Sequence, residues 1–276
     1  MARRRIADEP ISRMAIWARR CALFSLLATV LAVLIVRSGL LDLEPALGTF
    51  AGALLLAVFG IVLALGAFVV IWRDGIGGTG RAFTAIGIGV LLIAYPAYLG
   101  YRAYHLPMIN DITTDPLDPP RFDMLSRLRP RGTVEYAGLY AAEQQREAYP
   151  DVEPLTVAAT ATAAYDATMA TVIRRKWRVV VDRPPAAGRP DGLIEAVART
   201  PIMGFRDDIA IRVRPTGDGS RIDVRSASRY GRHDFGTNAA RIRTLLEDVE
   251  DRIGVRTEEP RPQPRQSPAR TQPARR

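Results

Sequence analysis

The chain has 276 residues, 48% of them apolar, a formal charge of +9 and one cysteine, Cys21. A lone cysteine excludes an internal disulfide and a multi-cysteine metal site. The positive excess sits before position 105 (ten arginines against five acidic residues) and in the last twenty residues (five against two), while 106–256 is near neutral, so no nucleic-acid partner is expected.

Residues 1–105 read as a membrane anchor. The run "CALFSLLATVLAVLIV" (Cys21–Val36) carries no charge and is extended backwards by Ile16 and Trp17, with Arg20 and Arg37 able to snorkel at its ends. "ALGTFAGALLLAVFGIVLALGAFVVIW" (Ala46–Trp72) and "AFTAIGIGVLLIAYPAYLGY" (Ala82–Tyr101) are long enough to span, giving three transmembrane helices at about 17–37, 46–72 and 82–101. Tyr95, Tyr98, Tyr101 and Tyr104 read as an interfacial belt, and Pro96 falls where a kink is tolerated. The first run lacks a small-x-small cleavage pattern and two further spans follow it, so it is not expected to be a cleaved signal peptide. Small residues in the second span, with Gly87 and Gly89 in the third, permit close helix packing.

Arg3, Arg4, Arg5, Arg13, Arg19 and Arg20 precede the first span, and Arg73 and Arg81 flank the loop between the second and third. By the positive-inside rule the N-terminus is cytoplasmic, and three spans place everything after Tyr101 outside. The expected location is a bacterial cytoplasmic (inner) membrane. No Asp, Glu, Lys, Arg or His lies inside the apolar runs Cys21–Val36, Ala46–Trp72 and Ala82–Tyr101, which argues against a pump or transporter acting alone.

Residues 106–256 read as an extracytoplasmic domain. A helix is expected over Ala161–Trp177, with Ala164, Ala167, Thr168, Thr171 and Val172 as its buried stripe. Strands follow at Trp177–Asp182 and Leu193–Phe205, the latter broken near Pro201. "DIAIRVRP" and "SRIDVRSAS", joined by "TGDG", alternate with period two and predict a hairpin with one apolar and one solvated face. A last helix is expected near Thr237–Ile253, capped by Thr237 or Asn238 and burying Ala239, Ile242, Leu245, Leu246, Val249 and Ile253. The fold class is α+β: three transmembrane helices, then a two-layer domain with an antiparallel sheet and two helices on its apolar face. Residues 257–276 read as a disordered Pro/Arg-rich tail.

Three stretches in this order, "DITTDPLDPPRF" (Asp111–Phe122), "GFRDDIAIRVRP" (Gly204–Pro215) and "SRIDVRSASRYGRHDFGTNAARIRTLL" (Ser220–Leu246), resemble the bacterial family catalogued as domain of unknown function 1499, over roughly residues 107–250. The resemblance implies a fold unit in an envelope-associated setting, with membrane-attached forms in keeping with it. It implies no activity and no catalytic residues.

Three groups of residues are candidates for a site. The first is the family-like motif Asp111, Thr113, Thr114, Asp115, Asp118, Pro119 and Pro120. Its prolines hold the chain extended and no glycine lets it wrap an ion, so a stiff connector packing on the domain is expected in place of a metal loop. The second is Ser228, His233 and Asp234, where a base and a nucleophile stand close in sequence. No nucleophile elbow accompanies them, and a structural turn with Asp234 as cap or as partner of Arg232 is the competing reading. The third is an arginine-rich face of Arg212, Arg214, Arg221 and Arg225, with Arg229 and Arg232 nearby, able to bind an anionic headgroup or to pair internally with residues such as Asp223. No metal and no cofactor is expected. The expected role is a non-enzymatic envelope module that binds a protein, an anionic lipid or a glycan. A hydrolase using Ser228–Asp234 and an accessory subunit of a transport complex are the alternatives.

Overall fold

The computed structural model describes residues 10–39, 43–129 and 138–258. Arg3–Arg5, Asp42 and the Pro/Arg-rich tail beyond 258 lie outside the described residues. Three helices, α1 (Arg13–Ser38), α2 (Leu43–Asp74) and α3 (Thr79–His105), are long and apolar enough to cross a membrane. They overrun the apolar runs at both ends because helix propagation continues until a cap or breaker intervenes. Ser12 caps α1, and Gly39, with φ 68°, ends it in the left-handed conformation that glycine tolerates. Small residues let the helices approach: Ala15, Ala18, Ala22, Ala64, Ala67, Ala82 and Ala85 form their shared buried seam. At Gly89 an added Cβ would stand 2.6 Å from Ile61 Cγ1. Gly87, by contrast, has open space around it. One end of the bundle is tied by Ser12 N–H to Gly77 O at 2.9 Å, and the mixed α+β unit sits at the other end.

That unit is built on a six-stranded antiparallel sheet of β1 (Asp111–Thr113), β2 (Leu155–Val157), β3 (Arg178–Arg183), β4 (Gly192–Arg199), β5 (Arg206–Thr216) and β6 (Gly219–Ser228). The path is β1-β6-β5-β4-β3, with β2 also paired to β6 beyond β1. The hairpin β5–β6 is the spine, in register from Asp207 opposite Ser228 to Thr216 opposite Gly219. The helix α6 (Ala161–Arg174) and the long α7 (Thr237–Glu258) pack on one face. There Ile194, Ile209, Ile211, Val213, Ile222 and Val224 meet Ala164, Val172, Ala239, Ile242, Leu245 and Val249. The stripes expected on both helices are the buried ones, with Leu246 and Ile253 at the margin. Two shorter helices are α4 (Leu125–Leu128) and α5 (Gly138–Ala148), the second adding Ala141 to the same core.

Two expectations are corrected. The start of the Asp/Pro stretch is not connector alone: Asp111–Thr113 is an edge strand in register with Ala227–Arg225. The second face of the hairpin is not solvated either. Asp208, Glu195 and Asp223 on it are wholly buried, because residues 115–129 fold back across the sheet. Strict alternation registers which residues share a face and carries no information about what lies over that face.

Candidate functional site

Strand alternation puts Arg212 and Arg214 of β5 beside Arg221, Asp223 and Arg225 of β6 on one face. Asp223, fully buried, accepts from Arg221 at 2.8 Å, Arg214 at 2.8 Å and Arg212 at 3.2 Å. The Asp/Pro stretch supplies the remaining anions. Asp115 meets Arg221 at 2.7 Å, Asp118 meets Arg212 at 3.0 Å and Arg214 at 3.3 Å, and Asp111 holds Arg225 at 2.6 Å. Thr113 and Thr114 turn inward: Thr113 N–H and C=O both bond the Gln145 amide, and Thr114 Oγ1 accepts from Val224 N–H at 2.9 Å. Pro120 contributes its carbonyl to Arg225, and Pro119 precedes it in the stretch that Asp118 anchors to the sheet. Arg229 completes a neighbouring cluster, donating to Asp208 at 2.7 and 2.9 Å from inside the domain. The arginine face is therefore neutralised by carboxylates of the same chain, which leaves its guanidiniums little capacity for an outside anion.

The Ser228–Asp234 segment is likewise engaged in structure. Asp234 Oδ1 accepts from Gly236 N–H at 2.9 Å and Oδ2 from Asn238 N–H at 2.8 Å, capping α7 from three residues before it. Burial pushes the Asp234 carboxyl above its usual range, and those two N–H groups oppose the shift. His233 places Nε2 3.2 Å from Leu106 O and Nδ1 2.9 Å from Phe235 N–H. The carbonyl must accept and the amide must donate, so Nε2 carries the proton and Nδ1 is the acceptor. Both nitrogens are thereby occupied, and the ring stacks on Phe235 at 4.7 Å. Ser228 faces Asp207 across β5–β6, and its Oγ accepts from Asn238 Nδ2 at 3.1 Å. Asp207 is pushed up by burial and drawn back by Arg241, whose Nη2 lies 2.5 Å away. The carboxylate beside Ser228 is thus paired with Arg241, and the nearby His233 imidazole is engaged at both nitrogens.

The same segment lines a cavity of about 370 Å³ between the bundle and the sheet, within the ~300–1,000 Å³ typical of ligand sites. Leu47 of α2 and Tyr95 and Leu99 of α3 form one wall; Ile202, Met203 and Phe205 of the β4–β5 loop and Phe235 before α7 form the other. Asp207, Ser228, Arg232, His233, Asp234 and Thr237 supply the polar part of the lining. Arg232 is exposed and has no carboxylate partner among the described residues. Arg102 at the end of α3 donates to Tyr98 Oη at 3.2 Å, and beside it the Tyr149 hydroxyl is buried with no hydrogen-bond partner among the described residues. Burial, reinforced by Asp234, pushes Tyr149 up to about 12.

The sequence reading did not find this cavity, since its walls come from positions 47, 95–99, 200–205 and 228–237. The one local signal was "TPIMGF", an apolar stretch between two strands. Among the described residues no group of His, Cys, Asp and Glu is arranged to hold a metal ion.

A family model described as a protein of unknown function (DUF1499) matches residues 111–249, slightly more than half of the chain. No curated protein matches the chain.

Proposed function

We propose that this chain, which belongs to the DUF1499 family of proteins of unknown function, is a non-enzymatic binding module of the bacterial envelope. In this reading residues 1–105 anchor it in the inner membrane, the N-terminus is cytoplasmic and residues 106–256 work outside. The ligand site is the cavity between the helix bundle and the sheet. The observation that carries the reading is the position of that cavity: Leu47, Tyr95 and Leu99, on helices apolar enough to lie in a membrane, close one side of it, so a ligand can enter it from the lipid. The positive-inside bias supports the orientation, because Arg13, Arg19, Arg20, Arg73 and Arg81 gather near the end of the bundle away from the sheet. The hydrolase alternative has weaker support, because Ser228, His233 and Asp234 are held in structural bonds.

Two measurements test the reading. Reporter fusions after residues 40, 77, 106 and 256 should report outside, inside, outside and outside; an inside signal at 256 overturns the envelope location. Native mass spectrometry of the full chain, released from its own membranes, should show a retained amphipathic molecule that the cavity-filling Met203→Trp variant loses. A wild-type chain that never carries such a molecule would sink the binding site.

A further inference from the structure

Arg199 closes β4 and Arg206 opens β5, and the two stand directly opposite each other in the register. Like charges facing across antiparallel strands destabilise the pair unless a counter-charge lies between them. Arg37, in the last turn of α1, joins them. Its Nη1 donates to the carbonyls of Pro201 and Ile202 at 2.6 and 2.9 Å, and its own carbonyl accepts from Arg199 Nη1 at 3.3 Å. Arg206 reaches the same place, its Nη2 coming within 3.7 Å of where a Cβ on Gly39 would stand. All three are exposed, and none has a carboxylate partner among the described residues. Further along the same strand pair, Arg212 and Arg214 are neutralised by Asp118 and Asp223. These three cations, without a carboxylate partner among the described residues, are thus at the bundle end of the sheet, flanking the Thr200–Phe205 loop that lines the apolar cavity.

We propose that the Arg37–Arg199–Arg206 cluster and the adjoining cavity bind one anionic phospholipid, its phosphate against the guanidiniums and the upper part of an acyl chain in the cavity. This deepens the reading above and rests on it. Guanidinium forks match phosphate oxygens in pairs, and a phosphate between Arg199 and Arg206 supplies the missing counter-charge. The chain has an apolar path, since Leu47 and Leu99 lie on helices that continue as lipid-compatible surface at Leu55 and Leu91. Arg37 holds the loop by its backbone, which joins the cavity wall directly to the phosphate site.

The test uses the full chain in phosphatidylcholine nanodiscs doped with a diazirine-acyl phosphatidate or with the matching uncharged diacylglycerol. Cross-links are mapped to residues 200–205 and 228–235. Phosphatidate should label these loops at least fivefold more than diacylglycerol. The Arg199→Gln/Arg206→Gln variant should fall to the diacylglycerol level, with labelling at Leu55 and Leu91 unchanged as the check on folding. Arg206→Lys, which keeps the charge, should retain most of the labelling. Equal labelling by both lipids would overturn phosphate recognition and leave the lipid-accessible cavity standing. Loops labelled by neither lipid would overturn the cavity reading as well. Displacement of phosphatidate by millimolar inorganic phosphate would make the cluster a site for a soluble anion and remove the lipid as its occupant.

Discussion

Arg225 on β6 grips Asp111 on β1 through two parallel hydrogen bonds, Nε to Oδ1 at 2.9 Å and Nη2 to Oδ2 at 2.6 Å, with both side chains almost wholly buried. The ring of Phe122 covers the guanidinium at 4.6 Å. This pair fastens the strand that follows the helix bundle to the centre of the sheet. Removing one member of a buried ion pair leaves the other charged and desolvated, a loss of about 3–5 kcal/mol. Asp111→Ala should therefore lower the unfolding free energy by that amount. Asp111→Leu combined with Arg225→Met should recover most of it, because no uncompensated charge remains. Denaturant unfolding followed by Trp177 fluorescence checks both, and equal losses in the two variants would refute the account.

Glu195 on β4 is fully buried and accepts from three successive amides, Asp123 at 2.5 Å, Met124 at 3.1 Å and Leu125 at 2.8 Å. It serves the N-terminus of α4 from across the sheet and holds the covering segment down. In Glu195→Gln an NH₂ group would face one of those donors, leaving a buried N–H unsatisfied at roughly 1–3 kcal/mol. Hydrogen exchange at 123–125 should quicken by about tenfold or more, while the β5–β6 amides stay protected.

Gly231 and Gly236 share a left-handed conformation, φ 77° and 75°, but differ in surroundings. Around Gly231 there is open space, whereas a Cβ on Gly236 would meet Arg102 Nη2 at 2.5 Å and Leu106 Cδ1 at 3.0 Å. Gly231→Ala should lose only the backbone term, about 1–2 kcal/mol. Gly236→Ala should lose more, because the Arg102 guanidinium and the Leu106 methyl must also give way. Thermal melts of the two variants side by side test this, and identical shifts would contradict the close approach.

Asp234 gives stability a pH dependence of definite sign. Its folded pKa is raised by burial, so its favourable contribution is complete below the unfolded carboxyl pKa and disappears as pH rises through the folded value. Asp207 has the same sign for the same first cause. Asp151, held down by its bond to Arg243, has the opposite sign and loses its contribution as pH falls. Stability of the wild type relative to Asp234→Asn should therefore be greatest near pH 3.5 and decline toward neutrality, read from melting temperatures at a series of pH values. A difference that grows with pH would be incompatible with a raised pKa.

The elements of this protein were legible because each rests on local spacing. Uncharged runs of helical length marked α1–α3, alternation marked β5 and β6, and a 3.6-residue stripe from Ala239 to Val249 marked α7. From these the α+β class followed, since an apolar sheet face and two apolar helix stripes can be buried only against one another. The short β1 and β2 were not legible: three residues hold too little of a period to separate a strand from an extended connector.

The site lay beyond reach for a different reason. Whether Arg212, Arg214 and Arg221 are free to bind or already neutralised depends on Asp115 and Asp118, about a hundred positions earlier, folding back over the sheet. Composition records that both charges exist, and only three-dimensional packing decides which of them meet. The same holds for the cavity and for Arg37, Arg199 and Arg206, which are brought together where one helix end touches one strand turn. Periodicity constrains neighbours a few residues apart. The pairing of distant charges is settled by which arrangement buries the most apolar surface while leaving the fewest buried charges without a partner.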